Sequence, residues 1–216
     1  RELCDGHGIL LILDEVMCGM GRTGHLFSCD EDGITPDILC IAKGLGAGYQ
    51  PIGAMLCSKK IYDTIAAGTG FFQHGHTYLG HPVAAAAALA VVREILEQDL
   101  VAQVNERGAY FEAELKRRFA QHQHVGDIRG RGLFWGVEFV ADRQTKEPFD
   151  PSLGLAGKLK KATFALGLIC YPMPGTRDGR VGDHVLLAPP FIASELELSQ
   201  ALDILEEAIE STLPHC

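Results

Sequence analysis

No apolar run in this chain is long enough to cross a bilayer, and no stretch of it reads as a signal peptide. Cys-x-x-Cys pairs are missing too. The seven cysteines, at positions 4, 18, 29, 40, 57, 170 and 216, are odd in number. This argues against a disulfide framework and for a reduced, cytoplasmic compartment, with the thiols acting as small buried hydrophobes. Positive charge is scarce: 19 Lys and Arg against 28 Asp and Glu leave a net charge of -9. Nucleic acid or an anionic membrane is thereby disfavoured as the main partner. There is no Gly-x4-Gly-Lys-Ser/Thr loop for nucleotide phosphates. Repeats, low-complexity tracts and flexible linkers are absent. So is an initiating methionine: the chain opens "RELCDGHGILLILDEV" and enters a strand almost at once. A longer chain, with a substantial N-terminal part before Arg1, is expected.

What is present fits a globular protein: 216 residues, 47% hydrophobic and 22% charged. Residues 1–8 read as a helix end and a turn. The runs at 9–13, 37–42 and 52–57 are continuously apolar, as in strands buried on both faces of a parallel sheet. Residues 59–67 predict a short helix, and Pro82 stands at the first turn of a strongly helical, alanine-rich segment. Helical spacing continues over 100–121. Two strands around Gly130-Arg131-Gly132 follow, then a helix over 153–166 and a short strand at 168–170. Residues 172–183, rich in Pro, Gly and charge, predict a loop. The chain closes with a strand at 184–190 and a helix capped by Ser194, with Glu197 completing a capping box. This divides the chain into an α/β part, residues 1–104, and a smaller α+β part, residues 105–216.

Two residues carry the chemistry. Lys43 follows the apolar segment Ile38–Ala42 and precedes the run Gly44-Leu45-Gly46-Ala47-Gly48. A buried ammonium is costly, so a lysine there needs a partner or a use for its neutral amine. Asp14 ends the apolar run at 9–13. Ligands of open α/β sheets bind at the carboxyl ends of strands, so both residues could reach one crevice. A buried carboxylate beside an amine suits pyridoxal phosphate, whose aldehyde forms a Schiff base with lysine and whose ring nitrogen wants an acidic partner. Lys43, once released, can then move a proton between substrate and cofactor.

The blocks "LILDEVMCGMGRTGHLF", "PDILCIAKGLGAGYQPIGA" and "FFQHGHTYLGHPVAAAAAL", in this order and spacing, resemble the class III aminotransferases, and "RGRGLFWGVEF" and "GDHVLLAPPF" extend the likeness over most of the chain. The resemblance implies the second half of a fold-type-I large domain (residues 1–104) followed by the C-terminal small domain (105–216). It implies pyridoxal 5'-phosphate as cofactor, with Asp14 on the ring nitrogen, Val16 against the ring face and Lys43 as the Schiff-base residue. Thr77 would contact the cofactor phosphate of a neighbouring subunit, which implies a homodimer with shared sites. Arg180 is the candidate for a substrate carboxylate, with Arg177 equally free to reach inward. The sequence departs from the family pattern at Met17, where many relatives carry a polar residue, and at His81, where many carry Asn. In the family a phosphate loop and a ring-stacking aromatic precede the Asp-Glu-Val block, and residues 1–8 do not supply them, so the resemblance implies that they stand upstream of Arg1.

The implied reaction moves an amino group from an amine or amino acid, omega-amino acids included, to a 2-oxo acid such as pyruvate. An isomerase or racemase of the same family stays open, as does an inactive fragment that serves only in folding or dimerisation. Simpler readings hold elsewhere. Asp14-Glu15 taken alone is strand-end solvation or a metal carboxylate pair. His74, His76 and His81 read as loop polarity, not a metal site. Gly19–Gly24 is not followed by a clear helix, so it is discarded as a dinucleotide fingerprint. Arg129 and Arg131 read as paired surface groups, Ala84–Ala88 as close helix packing, and Trp135 as core.

Overall fold

The first eight residues form α1 (Glu2–His7), closed by Gly8 in the left-handed conformation. The apolar run that follows becomes a strand of three residues, β1 (Ile12–Asp14). β1 pairs in parallel with β2 (Ile38–Ile41), with Ile12 opposite Ile38 and Asp14 opposite Cys40. β3 (Ala54–Cys57) joins β2 antiparallel, giving the order β1-β2-β3. The expectation that these strands are buried on both faces fails for the outer two. Ile12 is 57% exposed and every residue of β3 is exposed, whereas β2 alternates partly buried and buried positions. The reason is cover. β2 is the central strand, and the core of this part gathers on its Leu39 and Ile41.

α2 (Lys59–Ala67) falls where the sequence places it. α3 (Pro82–Glu97) starts with Pro82 in its first turn, and the His81 ring accepts from the Ala84 N–H at 3.4 Å. The alanine stripe is only partly packing surface. Ala84 and Ala88 are buried, while Ala85 and Ala86 are exposed. Ala88 and Ile95 are core residues, joined there by Leu45. The structure describes residues 1–213, in two units: residues 1–102 and residues from 103 onward. No helix among the described residues is long and apolar enough to cross a membrane.

α4 (Leu100–Phe119) runs into the second unit, which holds β4 (Val125–Arg131), β5 (Phe134–Phe139), α5 (Leu155–Ala165), β6 (Tyr171–Arg177), β7 (Val181–Leu187) and α6 (Glu195–Thr212). Its four strands are antiparallel in the order β4-β5-β7-β6. Phe111, Leu115 and Phe119 of α4 share one core with Val137, Val185 and Leu202. Trp135 belongs to this core and donates its indole N–H to the Gly132 carbonyl at 2.8 Å. Arg129 pairs with Asp127 and Glu138, each at 2.7 Å. Ser194 and Glu197 form the reciprocal cap of α6. At α5 the residue before the helix is Gly154, which has no side chain to cap with. Asp183 of β7, buried, supplies the acceptor for the Ala156 N–H at 3.0 Å.

Two expectations are corrected here. Residues 168–170 are not a strand, and 172–183 are not a loop: β6 and β7 run as a hairpin with its turn at 178–180. Pro172 and Pro174 mislead because proline usually breaks strands. β6 is an edge strand, where a missing N–H faces no partner. The cysteines are corrected as well. Cys29 is buried, but Cys4, Cys18, Cys40 and Cys170 are only partly so and Cys57 is exposed on β3. Cys216 lies outside the described residues.

α4 meets the β4–β5 turn at Gly108. A Cβ there would lie 2.6 Å from the Gly132 carbonyl oxygen and 2.8 Å from its Cα. Helix propensity alone makes Gly→Ala favourable by about 1 kcal/mol. The obstruction is backbone and cannot rotate away, so the sign reverses. Gly108→Ala is expected to destabilise by roughly 1–3 kcal/mol in urea unfolding. An increase in stability would show that α4 separates from the hairpin without cost.

Candidate active site

Asp14 ends β1, and Lys43 follows β2 after a single intervening residue, Ala42. Because β1 and β2 are parallel, both residues stand at the same carboxyl edge of the sheet. The ladder continues one step further, with the Glu15 N–H donating to the Cys40 carbonyl at 2.9 Å. The Asp14 carboxylate accepts the Val16 N–H at 3.1 Å through one oxygen. Val16 is therefore held beside it by its own backbone.

Lys43 opens a 3-10 turn, Lys43–Leu45, with φ 39°. A residue with a Cβ in this left-handed region costs on the order of 1–3 kcal/mol, and such residues persist where their surroundings fix them. Here the Leu45 N–H bonds Ala42 O at 2.9 Å and the Gly46 N–H bonds Lys43 O at 3.1 Å. Leu45 is buried among Met20, Leu39, Ile41 and Ala88, so it anchors the turn whose first residue is Lys43. The burial expected of Lys43 and Asp14 themselves is not found. Both side chains are exposed. One stands at a turn and the other at a strand end, and no described segment covers that edge.

The other sequence candidates lie elsewhere. Thr77 is exposed, in the turn before α3, where the Leu79 N–H bonds His76 O at 3.0 Å and the His81 N–H bonds Tyr78 O at 3.1 Å. No hydrogen bond joins Thr77 to Asp14, Val16 or Lys43 among the described residues. Arg180 belongs to the second unit, exposed in the β6–β7 turn, its N–H bonded to Arg177 O at 3.1 Å. Arg177 stands 3.8 Å from Glu147, whereas Arg180 has no ion pair among the described residues. Met17 is 47% exposed. Among the described residues no group of three or more His, Cys, Asp or Glu is arranged to hold a metal ion.

Glu15 escapes the sequence reading. It is 4% exposed, and its carboxylate accepts the N–H groups of Ser28 at 2.6 Å and Cys29 at 2.8 Å. So the paired acids divide their work: Asp14 faces outward at the strand end, and Glu15 turns inward to fasten a loop. No local signal marks this role, because the donors Glu15 accepts from stand thirteen and fourteen residues further on. Burial also acts on neighbours of this loop. It lowers the Arg22 guanidinium to about 10. It pushes the Cys29 thiol up to about 11, with the Glu15 carboxylate adding to the effect.

The family described as aminotransferase class-III matches residues 1–209. An aminotransferase of Gibberella zeae is 46% identical over 210 residues, 97% of this chain and 41% of that protein. An uncharacterized aminotransferase of Schizosaccharomyces pombe is 44% identical over 99% of this chain and 46% of its own length. An (S)-enantioselective omega-transaminase from Thermomicrobium roseum superposes with a TM-score of 0.90 at 38% identity, over 99% of this chain and 46% of that one. An amine transaminase from an uncultivated Pseudomonas species, solved with pyridoxal phosphate bound, gives 0.88 at 37%, over 98% of this chain and 47% of that one. The chain thus spans less than half the length of these relatives.

Proposed function

Since the chain belongs to the class-III aminotransferases, we propose that its protein transfers an amino group from an amine or amino acid to a 2-oxo acid, using pyridoxal 5'-phosphate. One observation carries this reading. Parallel pairing of β1 and β2 sets a carboxylate and an amine at a single sheet edge, with Lys43 held in a strained turn. The donor set fits the two ends of the cofactor ring. Asp14 uses one carboxylate oxygen on Val16 and keeps acceptor capacity for a protonated ring nitrogen. Lys43 offers a primary amine at a position anchored by Leu45.

When bound, the cofactor supplies a carbonyl that condenses with amines and a ring that takes up electron density. The residues of this chain do the rest. Asp14 would hold the ring nitrogen proton by its charge. Val16 would pack beside the ring. Nζ of Lys43 would hold the cofactor covalently and, as a free amine, would carry a proton at the substrate carbon. By the family resemblance Arg180, without an ion pair among the described residues, would receive a substrate carboxylate through a bidentate pair. Thr77 contributes its hydroxyl to the phosphate bound by a second subunit, so the protein works as a homodimer. Residues 1–104 are then the C-terminal part of the large domain and residues 105–216 the small domain, in a cytoplasmic enzyme. An omega-amino donor with pyruvate as acceptor is the favoured pair, by likeness to the omega-transaminase.

The test is borohydride trapping. The full-length protein is incubated with pyridoxal phosphate, reduced, digested and searched by mass spectrometry. A pyridoxyl group on Lys43 is expected, and its absence would overturn the proposal. Release of a distinct oxo acid from the donor separates transfer from isomerisation or racemisation.

A further inference from the structure

We propose that Glu15 is a positioning residue for Lys43, acting through the loop it fastens. This rests on the reading of Lys43 above, but the contacts stand on their own. Glu15 ties three other stretches of backbone to its own. Its N–H bonds Cys40 O at 2.9 Å, and its carbonyl accepts the Gly19 N–H at 2.9 Å. Its carboxylate closes the returning end of the loop on Ser28 and Cys29. The first bond reaches β2 one residue before its end, just ahead of Ala42 and Lys43.

The loop so closed reaches the Lys43 turn through Met20. Met20 has φ 57°, is 3% exposed, and lies in the core beside Leu45. It is seated so tightly on the residue after Lys43 that a Cβ at Gly44 would come within 2.9 Å of its own Cβ. The turn is therefore gripped from two sides, by Met20 on Gly44 and by α3 against Leu45. Met20 keeps its unfavourable backbone only while the loop on either side is closed. The Leu26 carbonyl takes the Gly21 N–H at 3.1 Å, and the Glu15 carboxylate holds the two residues beyond. Without that carboxylate, the N–H of buried Cys29 loses its acceptor and the loop opens. Met20 then leaves Gly44, and the strained backbone of Lys43 relaxes.

Glu15→Gln keeps the shape but leaves one acceptor oxygen and sets an NH2 group against one of the two N–H donors. In the cofactor-free full-length protein, the amides of Gly44, Leu45 and Gly46 should exchange with deuterium at least tenfold faster in the variant, together with those of Ser28 and Cys29. Cys29 should also alkylate faster, read on its own peptide. In the loaded enzyme kcat should fall about tenfold with KM changed less than twofold, while borohydride still labels Lys43. A core variant in the second unit, Val185→Ala, controls for lost stability and should change neither the exchange at 44–46 nor the kcat. Faster exchange at 28–29 with none at 44–46 would overturn the inference, because Glu15 would then fasten only its own loop. Exchange as expected, but no label on Lys43 even in the wild type, would leave the mechanical link standing and overturn its catalytic purpose.

Discussion

Lys43→Ala in the full-length protein is expected to abolish covalent capture of the cofactor and lower kcat by about 10⁴-fold or more, since both nucleophile and proton carrier are lost. The fold should survive. The Lys43 side chain is exposed and fills no part of the core, which is anchored one turn away by Leu45. Alanine inherits the left-handed backbone at similar cost, so the melting temperature should shift little. Lys43→Arg should fail equally, because a guanidinium stays protonated and cannot form the link. Visible absorbance, borohydride labelling and a turnover assay check this together. Turnover within tenfold of the wild type in Lys43→Ala would end the assignment.

The second large effect is at Asp14. Asp14→Asn retains an oxygen to accept the Val16 N–H, so the loop geometry should be kept. What goes is the charge that, on the proposed reading, would keep a ring nitrogen protonated. Asp14 is exposed here, so the size of the effect depends on bound cofactor covering it: losing one partner of a charge pair so desolvated would cost about 2–5 kcal/mol, and each 1.36 kcal/mol is a factor of ten. The expected loss in kcat is therefore roughly 30- to several-thousand-fold, with the cofactor still trapped on Lys43. A loss of less than fivefold would mean that another group protonates the ring. The two substitutions also separate the roles, because only the first should erase the label.

Local physics made much of the fold legible. Pro82 at a helix start, the reciprocal Ser194 and Glu197 cap and the 3.6-residue spacing of 100–119 each depend on neighbours a few positions away. Where the outcome depended on distant cover, sequence was a poor guide. The apolar letters of 9–13 and 52–57 say that burial is favourable, not that a covering element is at hand, and Ile12 and β3 are exposed. Residues 172–183 were misread because proline's effect depends on whether its strand has one neighbour or two. At the site, Asp14 and Lys43 were legible as strand-end residues, and parallel pairing brings them to one edge. Glu15 was not, since its inward turn follows from a loop closing thirteen residues later on Ser28.

The prolines of β6 have one more effect. Pro172 and Pro174 are two residues apart, so the N–H groups they lack belong to the same side of the strand. Their antiparallel partner is β7, and the side turned away from it is the free margin of the sheet. A stray extended segment arriving there finds carbonyls but a thinned row of donors. At the opposite margin, β4 carries Asp127, Arg129 and Arg131. Charge and proline are the usual means by which sheets avoid growing intermolecularly. The second unit thus carries its own protection against amyloid-like stacking at high concentration, in a segment that composition alone presents as a loop.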